Sequence, residues 1–214
     1  MATKVSLAEQ VKRMLSGGDP RSDSDIDIRE LVQAVESARD RVQYEVLVNS
    51  AENAMNPSFT DTELFSQLVI KQSVNSVAGE GGFKHYIKDY LSLPDDKGLF
   101  YVQKVDKNTE FDALLRAQGT PAFWRFNIEN VSYEGLVAYW VLRDTSGPYI
   151  WTIKNPNGLS VHLIPLTREL GDTVELPGGG FIDDMVVQRV YEMYASATQI
   201  PKDNLGDNVP KINR

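Results

Sequence analysis

Two histidines, His85 and His162, are the only side chains that could shuttle protons near neutral pH without a large pKa shift. His162 alternates inside the apolar run Leu159-Ser160-Val161-His162-Leu163, and His85 follows the glycine-rich Gly79-Glu80-Gly81-Gly82. Both settings favour packing positions over catalytic ones. No serine stands in a G-x-S-x-G context, and neither H-E-x-x-H nor G-K-[ST] occurs, so no nucleophile elbow, zinc helix or phosphate loop can be assembled. Cysteine is absent, which excludes thiol nucleophiles, Cys-ligated zinc, iron–sulfur clusters and disulfides. An enzyme working through a carboxylate pair, drawn from the 30 acidic residues, is the catalytic reading that motif spacing leaves open.

Two segments come close to ligand sites. Residues 19–30 place Asp19, Asp23 and Glu30 at positions 1, 5 and 12 of an EF-hand-like loop, with Ile26 at position 8. Arg21 stands where a third ligand belongs and Ser24 where the sharp turn needs glycine, so a solvated capping loop is expected and no metal is assigned. Gly178-Gly179-Gly180 precedes an apolar helical pattern, and a helix N-terminus attracts anions. Asp183 and Asp184 already place carboxylates in that first turn, and a hinge or linker is the expectation. No cofactor is implied.

The elements that must position these residues belong to a chain of 214 residues and 24.0 kDa, one large domain or two small ones, able to bury roughly 70% of its unfolded surface. The net charge is −8 and the pI about 4.8, the reverse of the balance common in nucleic-acid-binding domains. Residues 19–63 hold eleven acids and four bases, so −7 of the −8 is local. No apolar stretch reaches the ~18 residues of a membrane span, and a soluble, unprocessed protein is expected.

Leu7, Val11, Met14 and Leu15 recur at helical spacing before Ser16-Gly17-Gly18-Asp19-Pro20 stops the helix. Asp27 and Glu30 resemble a capping box ahead of Ile28, Leu31, Val32, Val35, Ala38, Val42 and Val46, which predict a long helix over about 28–54. Glu36, Arg39, Asp40, Arg41 and Glu45 fall on its polar face. Leu64, Phe65, Leu68 and Gln72 suggest a third helix over about 61–77, broken by the glycines at 79–82. Beyond Pro94 the period changes to two, and strands are expected at 99–105, 122–127, 136–142, 149–154 and 160–164. Turn residues at 145–148 and Pro156-Asn157-Gly158 separate the last three, Asn-Gly being a hairpin signal. Trp124, Trp140 and Trp151 all belong to this region, as a packed core or as an aromatic face. A final helix over about 182–197 precedes a tail too poor in apolar residues to order itself.

The expected fold class is therefore α+β: a helical region over 1–97, an antiparallel β-sheet or small sandwich within 98–176, and a C-terminal helix with an extended arm over 177–214. The last part should pack with the first.

Ser16-Gly17-Gly18-Asp19-Pro20, then Asp23-Ser24-Asp25-Ile26-Asp27-Ile28-Arg29-Glu30 and a helix containing Ala38-Arg39-Asp40, resembles the opening of neck and tail ring (head-to-tail adaptor) proteins of crAss-like bacteriophages. At the far end, Pro201-Lys202-Asp203-Asn204-Leu205-Gly206-Asp207-Asn208 is similar to a P-x-D-x-x-N-D-N tail, with Gly206 in place of an asparagine. The segment from Leu93-Pro94 to Gly98-Leu99 fits the same pattern, whereas the strand region carries no matching motif.

The resemblance implies a virion structural protein without catalysis. Its partners would be copies of itself in a homo-oligomeric ring, a dodecamer by the family's pattern, with the portal and neighbouring tail ring proteins above and below. DNA would pass through the channel without specific binding, and no membrane is involved. Ile200, Pro201, Asp203, Leu205, Asp207 and Asn208 would form a subunit-contacting arm. Glu36, Asp40 and Glu45 would form an acidic face toward the channel lumen or solvent. The competing reading is a small-molecule or glycan-binding module whose tryptophans line an exposed sheet face, because flat ligands stack on aromatic planes.

Overall fold

The computed structural model describes residues 2–16, 26–53, 63–79, 81–93, 98–104, 114–116, 138–153, 155–156 and 158–198. The expected strand at 122–127, Trp124, most of the 19–30 loop and the arm residues Ile200, Pro201, Asp203, Leu205, Asp207 and Asn208 lie outside them.

Helix α1 (Lys4–Leu15) starts at Thr3, whose hydroxyl accepts from the Ser6 amide while the Ser6 side chain accepts from the Thr3 amide. This reciprocal cap satisfies two otherwise orphaned donors. Helix α2 (Ile28–Asn53) begins where Asp27 accepts from the Arg29 amide at 3.0 Å. Glu30 does not complete a box; its carboxylate accepts instead from the Tyr194 hydroxyl at 3.2 Å. Helix α4 (Gly180–Thr198) closes the bundle.

Leu7, Ala8 and Val11 of α1, Leu31, Val35, Ala38, Val42 and Leu47 of α2, and Ile182, Val186, Val187 and Val190 of α4 share one core. The periodicity reading of α2 thus holds for its apolar stripe, and the C-terminal helix packs with the N-terminal ones. Each large aliphatic side chain removed from water here is worth about 1.5–3 kcal/mol.

The third helix departs from expectation. Helix α3 (Glu63–Leu68) is one and a half turns long, and the chain then becomes strand β1 (Ile70–Val74). The apolar spacing of Leu64, Phe65 and Leu68 is helical, but Ile70-Lys71-Gln72-Ser73-Val74 alternates and finds a partner strand nearly ninety residues away. The glycines at 79–82 do not break a helix; they turn strand β2 (Val77–Gly79) back onto β3 (Gly82–Tyr86), Gly79 opposite Gly82.

The remaining strands are β4 (Leu99–Lys104), β5 (Leu115–Arg116), β6 (Ala138–Asp144), β7 (Gly147–Thr152) and β8 (Leu159–Leu163). They form two sheets, β1-β8-β4 and β2-β3-β7-β6-β5, antiparallel except for the short β5–β6 pairing. The fold is α+β. Thr145 and Ser146 make the expected β6–β7 hairpin, with Asp144 opposite Gly147. Gly158 makes no hairpin between β7 and β8, because β7 pairs with β3 and β6 while β8 pairs with β1 and β4. The chain passes instead from one sheet to the other between β7 and β8. Ile150 and Tyr139 from one sheet meet Val102, Leu159, Val161 and Leu163 from the other in a common apolar cluster.

One close approach ties the sheets to the bundle. The Leu91 amide donates to Ile164 O at 2.8 Å and the Ile164 amide to Gly98 O at 2.9 Å. A Cβ on Gly98 would lie 1.7 Å from Leu91 O, so only glycine fits there. Leu91, Leu93 and Ile164 in turn belong to the helical core.

Candidate functional site

The inner side of α2 carries a row of polar contacts rather than a free charged face. Lys4, buried at the start of α1, donates to Glu36 at 2.5 Å and pairs with Asp172 at 2.9 Å. Burial opposes its charge, yet the bonds to Glu36 and Asp172 outweigh that and raise its pKa. Arg39 was expected on the polar face but is fully buried, because Asp183 of α4 waits for it at 2.6 Å. Its second guanidinium arm donates to the Pro177 carbonyl. Asp40 accepts from both the amide (2.8 Å) and the hydroxyl (2.6 Å) of Thr167, and burial nonetheless pushes its carboxyl up. Glu45 accepts from Arg189 of α4 at 2.8 Å and Arg41 at 3.0 Å, and the Arg189 bond foremost holds its pKa down.

Glu36, Asp40 and Glu45 are therefore each engaged within the chain. All three are half-buried, and they hold α1, the 165–177 segment and α4 against α2. Their partners Lys4, Thr167 and Arg189 carried no signal in the sequence, and neither did the pairing of Arg39 with Asp183, since contacts across as many as 144 residues have no local period.

Gly178-Gly179-Gly180 leads into α4, but the connector is pinned. Arg39 holds Pro177, and Gly178, with φ +99°, packs where a Cβ would lie 2.5 Å from Leu68 Cδ2. The α4 N-terminus already has a carboxylate in Asp183.

His85 and His162 lie on different sheets and are not brought together. His85 is fully buried on β3, its Nε2 3.2 Å from Thr152 Oγ1, and burial pushes its pKa down to about 4. His162 packs edge-on against Tyr101 with centroids 5.6 Å apart. Trp140 and Trp151 form a cross-strand T-shaped pair at 5.2 Å, 4% and 6% exposed, so neither offers a face for stacking a ligand. Among the described residues no group of three His, Asp or Glu side chains is placed to hold a metal ion, and no helix is long and apolar enough to cross a membrane.

Helix α4 has a different character at its far end. Its last fully buried apolar residue is Val190, whereas Glu192, Met193 and Ser196 are exposed, Met193 by 54%. Tyr194 still packs against the helical core, so about one turn runs past it, and sixteen further residues follow Thr198. No protein-family model matches the chain, and no curated protein matches it.

Proposed function

We propose that this chain is a virion structural protein, one subunit of a homo-oligomeric ring in the neck or tail of a crAss-like bacteriophage, between portal and tail around the DNA exit channel. The observation that carries the reading is the end of α4: Tyr194 is its last side chain packed against the helical core, one further turn runs to Thr198, and a tail of sixteen residues poor in large apolar groups follows. An arm delivered in this way suits a heterologous contact, which closes into a ring when the same step is repeated by rotation. The resemblance at both ends of the sequence supports the same role. Burial of Trp140 and Trp151 counts against the glycan-binding alternative. No catalysis is assigned.

Sedimentation of the 214-residue chain and of a chain ending at Thr198 tests the role of the arm. The complete chain is expected to sediment as a ring and the shortened one as a folded monomer. A shortened chain that still forms the ring would overturn the arm's part in it.

A further inference from the structure

The two faces of the sheet β1-β8-β4 differ in kind. Ile70 and Val74 of β1, Leu99 and Val102 of β4, and Leu159, Val161 and Leu163 of β8 belong to the apolar cluster shared with the other sheet. Because side chains alternate along a strand, Lys71, Ser73, Tyr101, Gln103, Ser160 and His162 fall on the opposite face. The register sets them in two rows across the sheet, Ser73-Ser160-Gln103 and Lys71-His162-Tyr101. All six are polar and none is an acid.

The centre of this face is unsatisfied. Ser160 is 2% exposed, yet its Oγ has no hydrogen-bond partner, and Nε2 of His162, two positions along the same strand, is likewise withdrawn from water without one. An unpaired buried polar atom costs its full desolvation, and two of them on one strand face mark a place where a further group completes the network.

The surrounding charges select that group. Lys71 lies directly across from His162 on the edge strand and is exposed, with no carboxylate in salt-bridge reach among the described residues. Burial first, and then the Lys71 charge, lowers the pKa of His162, so the imidazole is neutral near neutral pH and can carry its one proton on Nε2. The Ser160 hydroxyl, the imidazole N–H, the Gln103 amide and the Lys71 ammonium can then all donate. Donors with one cation and no acid suit an oxyanion, because hydrogen bonds to a charged acceptor are the stronger kind. Ser160 and His162 stand roughly 6.6 Å apart along the strand, a gap that one phosphoryl or carboxylate group bridges by accepting from each through a different oxygen. Exposed Lys71 and Ser73 leave the β1 side open to solvent.

We propose that this face of β1-β8-β4 binds a small oxyanion, phosphoryl or carboxylate, held by the Ser160 hydroxyl and His162 Nε2 and neutralised by Lys71, with Gln103 beside it. The site uses none of the contacts that hold the helices together and requires nothing of the ring reading.

With two histidines in the chain, NMR of the imidazole side chains reads the site directly, and the signal lost in His162→Gln identifies it. Sodium phosphate is titrated into the 214-residue chain at constant ionic strength, balanced with chloride. The His162 signals should move and saturate, with half-saturation at about 1 mM or below, while those of His85, buried on the other sheet, stay in place. Lys71→Gln, at an exposed position, and Ser160→Ala, which removes only the hydroxyl, should each weaken binding at least about tenfold, the worth of a hydrogen bond to a charged group. A parallel titration with acetate separates the sources: tighter binding than phosphate assigns a carboxylate ligand, weaker binding a phosphoryl group. His162 signals that drift without saturating, or that saturate equally in both variants, overturn the site.

Discussion

Arg39 and Asp183, separated by 144 residues, meet at 2.6 Å with the guanidinium fully buried, and the same arginine holds the carbonyl of Pro177. This contact joins the middle of α2 to the start of α4. Removing one member leaves a buried charge without its partner, so Asp183→Ala should cost about 3–5 kcal/mol in urea denaturation, whereas Arg39→Met combined with Asp183→Leu should recover most of the loss. If Asp183→Ala unfolds at the same urea concentration as the unaltered chain, the pair does not hold the bundle together.

His85 gives the fold a measurable acid sensitivity. Burial lowers its pKa from 6.5 to about 4, so as the pH falls the unfolded chain takes up the proton first. Its contribution is intact above about 6.5, declines between about 6.5 and about 4, and levels off below. His162 is shifted in the same direction, also mainly by burial. Replacing His85→Gln, which keeps a side chain able to reach Thr152 Oγ1 but cannot titrate, should flatten the stability curve across that window. An unchanged slope would contradict the burial of a neutral imidazole.

Leu31 is fully buried in the helical core. Leu31→Ala should destabilise the protein by roughly 2–5 kcal/mol, through lost transfer energy and the cavity left behind. Thermal unfolding checks it, and an unaltered melting temperature would mean that this face of α2 does not carry the core.

The apolar stripe of α2 was legible because a period of 3.6 residues is a local property, and Leu31, Val35 and Val42 are all fully buried. Arg39 was misplaced on the polar face for the complementary reason: what buries it is a carboxylate on another helix. Ile70–Val74 followed a stretch of helical spacing and became a strand because β8 pairs with it along its whole length. Asn157-Gly158 signalled a hairpin, but β7 and β8 lie in different sheets, because which strands pair depends on partners far along the chain. The contacts of Glu36, Asp40 and Glu45 belong to this same non-local class.

Charge offers a further check on the channel role. With a net charge of −8, the chain should not hold duplex DNA, since non-specific affinity grows with each lysine or arginine that displaces a counterion from phosphate. A gel-shift titration at about 150 mM salt, where the Debye length is roughly 8 Å, should show no complex at micromolar protein. Micromolar binding would contradict a channel that DNA slides through freely.

Negative-stain electron microscopy of the purified 214-residue chain bears most directly on the ring assignment. Closed annular particles with cyclic symmetry around an open centre, twelvefold if the family's pattern holds, are the predicted result. A preparation that stays monomeric at the 24.0 kDa of a single chain, with no annular particles, would contradict it.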